Sequence, residues 1–213
     1  MGRQQFIFQQ FLEQRKQLQF QQQQFERLWR RWRQFWWRRR VGKLVVRDMS
    51  IGRIAKHLLH HHWWVKRYFP PNVLAAIEAA TKAGEVTHSG QVRFVVEGAL
   101  DGRPLFGNQP ARERALDIFS QLRIWDTAHN NGVLIYLLLA DRNVEIIADR
   151  GIDAKVGAAG WEKICSEMEK DFRARNFERG VIKGIEAVSR ELAKHFPPHA
   201  GEPNELPDAP VVM

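Results

Sequence analysis

The sequence predicts an α/β fold: a small mixed sheet covered by helices on both faces (an α/β/α sandwich), preceded by a helical or disordered N-terminal extension. Three observations predict it. Residues 133–140 and 144–148 are short apolar runs joined by the polar connector Asp141-Arg142-Asn143, which reads as a hairpin. The first run is apolar at nearly every position, as a central strand covered on both faces is. Outside the hairpin, helical and strand periodicities alternate, so that the whole order is α, β, α, β, β, α, α.

Taken in order, residues 1–48 form a low-complexity basic and aromatic extension. Phe11, Leu18, Phe25 and Trp32 recur every seven residues, with Arg on the other side. Arg30, Arg31, Trp32, Trp36, Trp37 and Arg38 suit either an anionic membrane surface or a nucleic acid. The competing reading is an arm without fixed structure, or a chain whose translation starts at Met49. Residues 49–69 read as an amphipathic basic helix capped by Ser50, with Ile54, Leu58, Leu59 and Trp63 apolar. His57, His60 and His61 have a spacing that can chelate a metal, although a solvated basic face is the commoner use of such residues.

Residues 70–196 are the expected α/β domain. Asn72 is a candidate N-cap for a helix ended by Gly84. Residues 91–97 alternate as a strand with Val92, Phe94 and Val96 on one face, and residues 98–109 read as a loop. A helix then opens at Pro110 with Ala115, Ile118, Phe119 and Leu122 inward. After the hairpin, residues 154–174 place Trp161, Ile164, Cys165, Met168 and Phe172 on one helical stripe. Residues 178–195 form the last helix, in which Gly180 and Gly184 imply a close helix contact. Residues 197–213 hold five of the nine prolines and no periodicity, so a disordered tail is expected.

Charge is distributed unevenly. Residues 1–48 carry 12 Lys/Arg against 3 Asp/Glu, and the remainder carries 21 of each, so the excess of +9 belongs entirely to the extension. The neutral domain therefore argues against nucleic acid as its own ligand. Cys165 is the only cysteine, which excludes an intrachain disulfide and a Cys-based zinc site. No apolar run reaches the roughly 18 residues of a membrane span, and no signal-peptide h-region is present, so a cytoplasmic protein, peripheral to a membrane at most, is expected.

Chemistry-bearing residues gather at the hairpin's open end. With the turn near Arg142, residues before Gly132 should lie opposite those after Asp149, bringing Asp126, His129, Asn130 and Asn131 near Asp149, Arg150 and Asp153. Ordinary turn and cap use is the competing reading.

The hairpin also resembles the TPM-domain family of thylakoid acid-phosphatase-like and photosystem-repair proteins and their bacterial relatives. The matching residues are Asn130-Asn131-Gly132-Val133-Leu134, Asp141-Arg142, Val144-Glu145-Ile146 and Asp149-Arg150-Gly151, within a resemblance covering about residues 65–196. It implies an α/β/α sandwich, a groove at the hairpin's open end where some relatives bind a divalent cation, and a contested phosphatase assignment. Two departures stand out. Asn130 replaces the family's Asp, and an amide is the weaker ligand for a hard cation; Asp149-Arg150 replaces Gly-Tyr, adding a carboxylate and an anion-binding guanidinium.

Besides nucleic-acid contact through the N-terminal Arg/Trp arm, two functions follow as expectations. One is a non-catalytic or weakly catalytic interaction module acting with a membrane-associated protein partner or an anionic membrane surface. The other is a phosphatase-like hydrolase using Ca or Mg. In it Asp149, Asp153 and Asn130 hold the ion, Arg150 binds phosphate, and His129 moves a proton beside Asp126.

Overall fold

The computed structural model describes residues 51–59, 62–198 and 204–213. The chain divides into two units, Met1–Asp48 and Met49–Met213, and the described residues all belong to the second. The readings placed on residues 1–48, including Arg30, Arg31, Trp32, Trp36, Trp37 and Arg38, lie outside the described residues, as do Ser50, His60 and His61.

The helices are α1 (Ile51–Leu59), α2 (His62–Tyr68), α3 (Pro71–Glu85), α4 (Gly102–Phe106), α5 (Ala111–Gln121), α6 (Arg150–Arg173) and α7 (Phe177–His195). The strands are β1 (Gln91–Glu97), β2 (Gly132–Leu138), β3 (Asn143–Ala148) and β4 (Val211–Val212), in sheet order β3-β2-β1-β4. β2 and β3 form the expected antiparallel hairpin, with Val133 opposite Ala148 and Leu138 opposite Asn143. β1 lies parallel to β2, Gln91 pairing with Gly132 and Glu97 with Leu138, so the chain crosses over through α4 and α5 between them. The sheet is thus mixed, and β2 is an interior strand with all seven residues buried.

The pleat sends alternate residues to two cores. Val92, Phe94, Val96, Val133, Ile135 and Leu137 join Ile77 of α3, Trp161 and Phe172 of α6, and Ile185 and Val188 of α7. Val95, Leu134, Tyr136 and Leu138 join Leu105 of α4 and Ala115, Ile118 and Phe119 of α5. Each fully buried Ile or Leu contributes about 1.5–3 kcal/mol, so the three-layer sandwich rests on these two faces. The α6–α7 packing uses the expected glycine pair. A methyl added at Gly180 would lie 2.6 Å from Phe172 Cε1, and one at Gly184 would overlap the Met168 side chain.

Several local expectations are corrected. α3 starts two residues earlier than the Asn72 cap implied: Pro70 is the N-cap and Pro71 opens the first turn, where its missing N–H costs nothing. The helix also runs one residue past Gly84. Residues 98–109 contain α4 rather than loop alone. Pro110 caps α5 from outside its first turn. α6 begins at Arg150, not residue 154, with a break at Gly157, whose φ of 71° suits a residue without a Cβ.

The tail after Phe196 differs most. Residues 204–213 run along the sheet edge. β4 pairs in parallel with β1, Met213 N–H donates to Val96 O, and Gly98 N–H donates to Met213 O. Gln91 Oε1 accepts from the backbone of Glu205 and Leu206, and Arg93 donates to the carbonyls of Pro207 and Ala209. Composition suggested disorder because local signals were missing. The order comes from β1's otherwise unpaired edge, a non-local partner.

His57 is likewise not on a solvated face. It is 2% exposed, its Nδ1 accepts the Leu100 N–H at 2.9 Å, and its Nε2 lies 3.2 Å from Asp141 Oδ2. Accepting at Nδ1 places the ring proton on Nε2, toward the carboxylate.

Candidate functional site

The hairpin's open end is built from the turn after α5, the starts of β1 and β2, the end of β3 and the first turn of α6. Gly132 sits where a side chain would overlap the carbonyl of Ile124, so only glycine lets this turn close against β2. A Cβ on Gly151 would come within 2.5 Å of Asn130 O, the same atom that accepts the Gly151 N–H at 3.0 Å. The two glycines of the motif therefore press the 129–132 turn against the start of α6. Asn130 holds a left-handed backbone at φ 53°, which asparagine tolerates better than most residues.

The structure brings some of the expected residues together. Arg150 Nε donates to Asn130 Oδ1 at 2.9 Å, and Asp149 N–H donates to Gly132 O at 2.8 Å. Asp149 is the N-cap of α6. Its Oδ1 accepts from the first helical amide, Arg150 N–H, at 2.7 Å, instead of from the second or third as most caps do. Its Oδ2 is buried without a hydrogen-bond partner. Burial pushes the Asp149 carboxyl above the usual carboxylate range, against the pull of the Arg150 amide.

Others are separate. Asp153 lies one turn into α6, where its Oδ1 accepts the Trp161 indole N–H at 3.0 Å. Burial raises its pKa too, opposed by that bond. Asp126 is exposed in the turn after α5, its N–H bonded to Arg123 O, and His129 is exposed beside Asn130. Asn131 is wholly buried. Its Nδ2 donates to Ser89 O and its backbone N–H to Thr127 Oγ1, while its Oδ1 has no donor. Asn131 thus ties β1's approach to β2's, and is a positioning residue rather than an exposed one.

Ca or Mg asks for about six or more oxygens. Of the three expected ligands, Asn130 Oδ1 and Asp153 Oδ1 are bonded within the protein, and Asp149 keeps one oxygen without a donor. Among the described residues no group of three or more His, Cys, Asp or Glu side chains is close enough to share an ion. The donor set as folded falls short of a cation cage.

The other end of the sheet, at the carboxyl ends of β1 and β2, holds what sequence reading missed. Glu97 accepts both Arg114 Nε, at 2.9 Å, and Arg114 Nη2, at 2.8 Å, and also the Tyr136 hydroxyl at 2.6 Å. Burial and the Glu97 charge push the Tyr136 hydroxyl far above its ordinary pKa, and the bond to Glu97 raises that of Arg114. The available signal was a tyrosine inside an otherwise aliphatic strand and a glutamate closing the one beside it. Asp141, in the connector beside Arg142, accepts from Arg53 Nε at 3.1 Å and from Lys56 Nζ at 3.5 Å. Burial alone would raise its pKa, but His57 and Arg53 outweigh it and hold the carboxyl well below the usual range. In open α/β sheets, sites sit at the carboxyl ends of parallel strands. The hairpin's open end is at the amino ends of β1 and β2, so that rule lends it no support.

Cys165 is part-buried on α6, and burial pushes its thiol up to about 12, the opposite of an activated nucleophile. Among the described residues no helix is long and apolar enough to cross a membrane.

Comparison with known proteins bears directly on this arrangement. The family model described as "TPM domain" matches residues 66–191. The BA42 protein of the psychrophilic bacterium Bizionia argentinensis, solved by NMR, is similar at 30% identity; the match covers 67% of this chain and 93% of that one, with a TM-score of 0.59. The N-terminal domain of a protein from P. gingivalis, also an NMR structure, is similar at 22% identity over 57% of this chain and 76% of that one, with a TM-score of 0.46. No curated protein matches the chain.

Proposed function

The chain belongs to the TPM-domain family, and from that premise we propose that it is a non-catalytic or weakly catalytic interaction module of a membrane-associated assembly, its hairpin end receiving a segment of a partner protein. One observation carries this reading. Three of the side chains that hydrolysis would need are engaged in holding the fold. Arg150 Nε is on Asn130 Oδ1, Asp149 Oδ1 is on the first amide of α6, and Asp153 Oδ1 is on Trp161. A hydrolase aims such groups at the reacting phosphate. Here they brace a rim on which Ala128 and His129 are exposed.

A second reading has one observation in its favour. Asp149 Oδ2 is buried with no donor, and a divalent cation would give it a partner. The alternative is a phosphatase-like hydrolase in which Asp149 and Asp153 approach the ion, Arg150 engages the phosphate, and His129 moves the proton.

Phosphomonoester hydrolysis by the full-length protein, with and without Ca or Mg, separates the two. The interaction reading expects no metal-dependent turnover that Asp149→Ala and His129→Ala both abolish. Turnover lost in both variants, together with a metal-induced rise in Tm that disappears in Asp149→Ala, would establish the hydrolase instead. Co-sedimentation with anionic liposomes tests the membrane association. Binding that is unchanged when Arg30, Arg31 and Trp32 are replaced by Ala would remove the extension as its anchor.

A further inference from the structure

A second feature lies away from the hairpin. An open cleft of about 740 Å³ runs between α2 with the start of α3 on one side and the α6–α7 turn with the first turns of α7 on the other. Tyr68 and Phe177, whose ring centroids are 4.5 Å apart, join Val73 in its floor, and Arg67, Arg175, Arg179 and Lys183 stand around it. Only Glu178 and Glu186 oppose them in the lining. The domain as a whole carries equal numbers of acids and bases, so this concentration of cations is local.

The cations are ordered. Arg179 and Lys183 are one turn apart on α7, which spaces them by about 6 Å along one face, and Arg175 precedes them in the α6–α7 turn. Arg179 and Lys183 both reach Asp171, Lys183 Nζ at 3.4 Å from Oδ2. Their side chains are 58% and 60% exposed, and ion pairs so exposed exchange partners at little cost. Arg175, in a left-handed backbone at φ 63°, has no ion-pair partner among the described residues. Asp171 thus gathers two of the lining cations and leaves Arg175 outside that cluster.

We propose that this cleft binds an acidic peptide segment of a partner protein. Carboxylates one helical turn apart, or on alternate residues of an extended chain, repeat at about 6–7 Å and match the Arg179–Lys183 spacing, with Arg175 in the adjoining turn. The concave shape with an apolar floor favours a chain lying in a groove over a flat bilayer surface. The chain's own extension is excluded as the occupant by its sign, since residues 1–48 are basic. No residue of the hairpin lines the cleft, so the inference stands independently of what the hairpin end does.

The test uses the full-length protein and a fluorescein-labelled oligoglutamate peptide of about ten residues, read by fluorescence anisotropy at two salt concentrations. The triple variant Arg175→Gln/Arg179→Gln/Lys183→Gln, all at exposed positions, is expected to bind about tenfold more weakly with an unchanged Tm. An Arg30→Gln/Arg31→Gln control in the basic extension is expected to change Kd by less than about twofold. Asp171→Asn, which removes the internal competitor, is expected to tighten binding. Equal affinity of the triple variant and the wild type would overturn the proposal. So would a loss confined to the extension variant, or displacement of the triple variant's effect onto phosphatidylserine vesicles with none on the peptide.

Discussion

The two ends of the central strands hold their carboxylates differently. At the carboxyl ends of β1 and β2, Glu97 is paired by Arg114 and Tyr136, and Asp141 by Arg53, Lys56 and His57. At the amino ends, Asp149 Oδ2 and Asn131 Oδ1 are buried without donors, and the Asp149 carboxyl is raised by burial. A buried charge that is paired locks elements together, whereas a buried acceptor without a donor costs stability. The first end therefore fastens α1, α5 and the hairpin to the sheet. Asn143 Oδ1 at the first end is also buried without a donor, but among the described residues only the second leaves a carboxylate oxygen, Asp149 Oδ2, unpartnered, and such groups persist where a partner or ligand completes them.

The largest test of this contrast is Glu97→Ala. It strands the Arg114 charge and the Tyr136 hydroxyl, so urea unfolding should show a loss of about 3–5 kcal/mol. A loss below about 1 kcal/mol would mean that the triad is not a lock. Asp141→Ala comes next, at about 1–3 kcal/mol, because its side chain is partly solvated and one helix is released. Its pH signature is distinct. The folded pKa is depressed, so its contribution is fully present above the ordinary carboxylate pKa and is lost progressively as pH falls from there through the folded pKa. Asp141→Asn should flatten the acid limb of a Tm-against-pH curve.

The other end should behave with the opposite sign. Burial, and then the neighbouring Asp208 carboxyl, push the Glu85 pKa from 4.5 to about 8 beside the start of β1. The folded state then binds the extra proton between those values, so stability falls as pH rises from about 4.5 to 8. Glu85→Gln should remove that decline and hold the C-terminal strap at alkaline pH, measured by hydrogen exchange of the Met213 and Gly98 amides. The smallest effect is at Asp149. Asp149→Ala removes the α6 cap, worth about 1 kcal/mol, but also removes an unsatisfied buried oxygen. A net change within about 0.5 kcal/mol is expected in thermal unfolding, and a loss several times larger would show that Oδ2 has a partner in solution.

These comparisons also show what was legible. The hairpin was, because its two runs, its connector and its glycines are consecutive, and hydrogen bonds between neighbouring strands follow from local pattern. The close packing at Gly180 and Gly184 was legible for the same reason: the spacing is a property of one helix. At the candidate site, the meeting of Asn130 with Arg150 and Gly151 followed from hairpin geometry. That Asp149 begins α6 and that Asp153 belongs to Trp161 did not, because helix capping and an indole bond both depend on where α6 starts.

By itself the sequence determined the fold class, the hairpin, the helical stripes and the confinement of excess charge to residues 1–48, since periodicity, turn chemistry and composition act within a few residues of the chain. Only the tertiary structure decided that β1 runs parallel to β2, that residues 204–213 close the sheet edge, that His57 is buried against Asp141, and that Glu97 meets Arg114 and Tyr136. Each of these joins residues far apart in sequence. Their hydrogen bonds and ion pairs form only where the packed layers exclude water, and no local pattern encodes that.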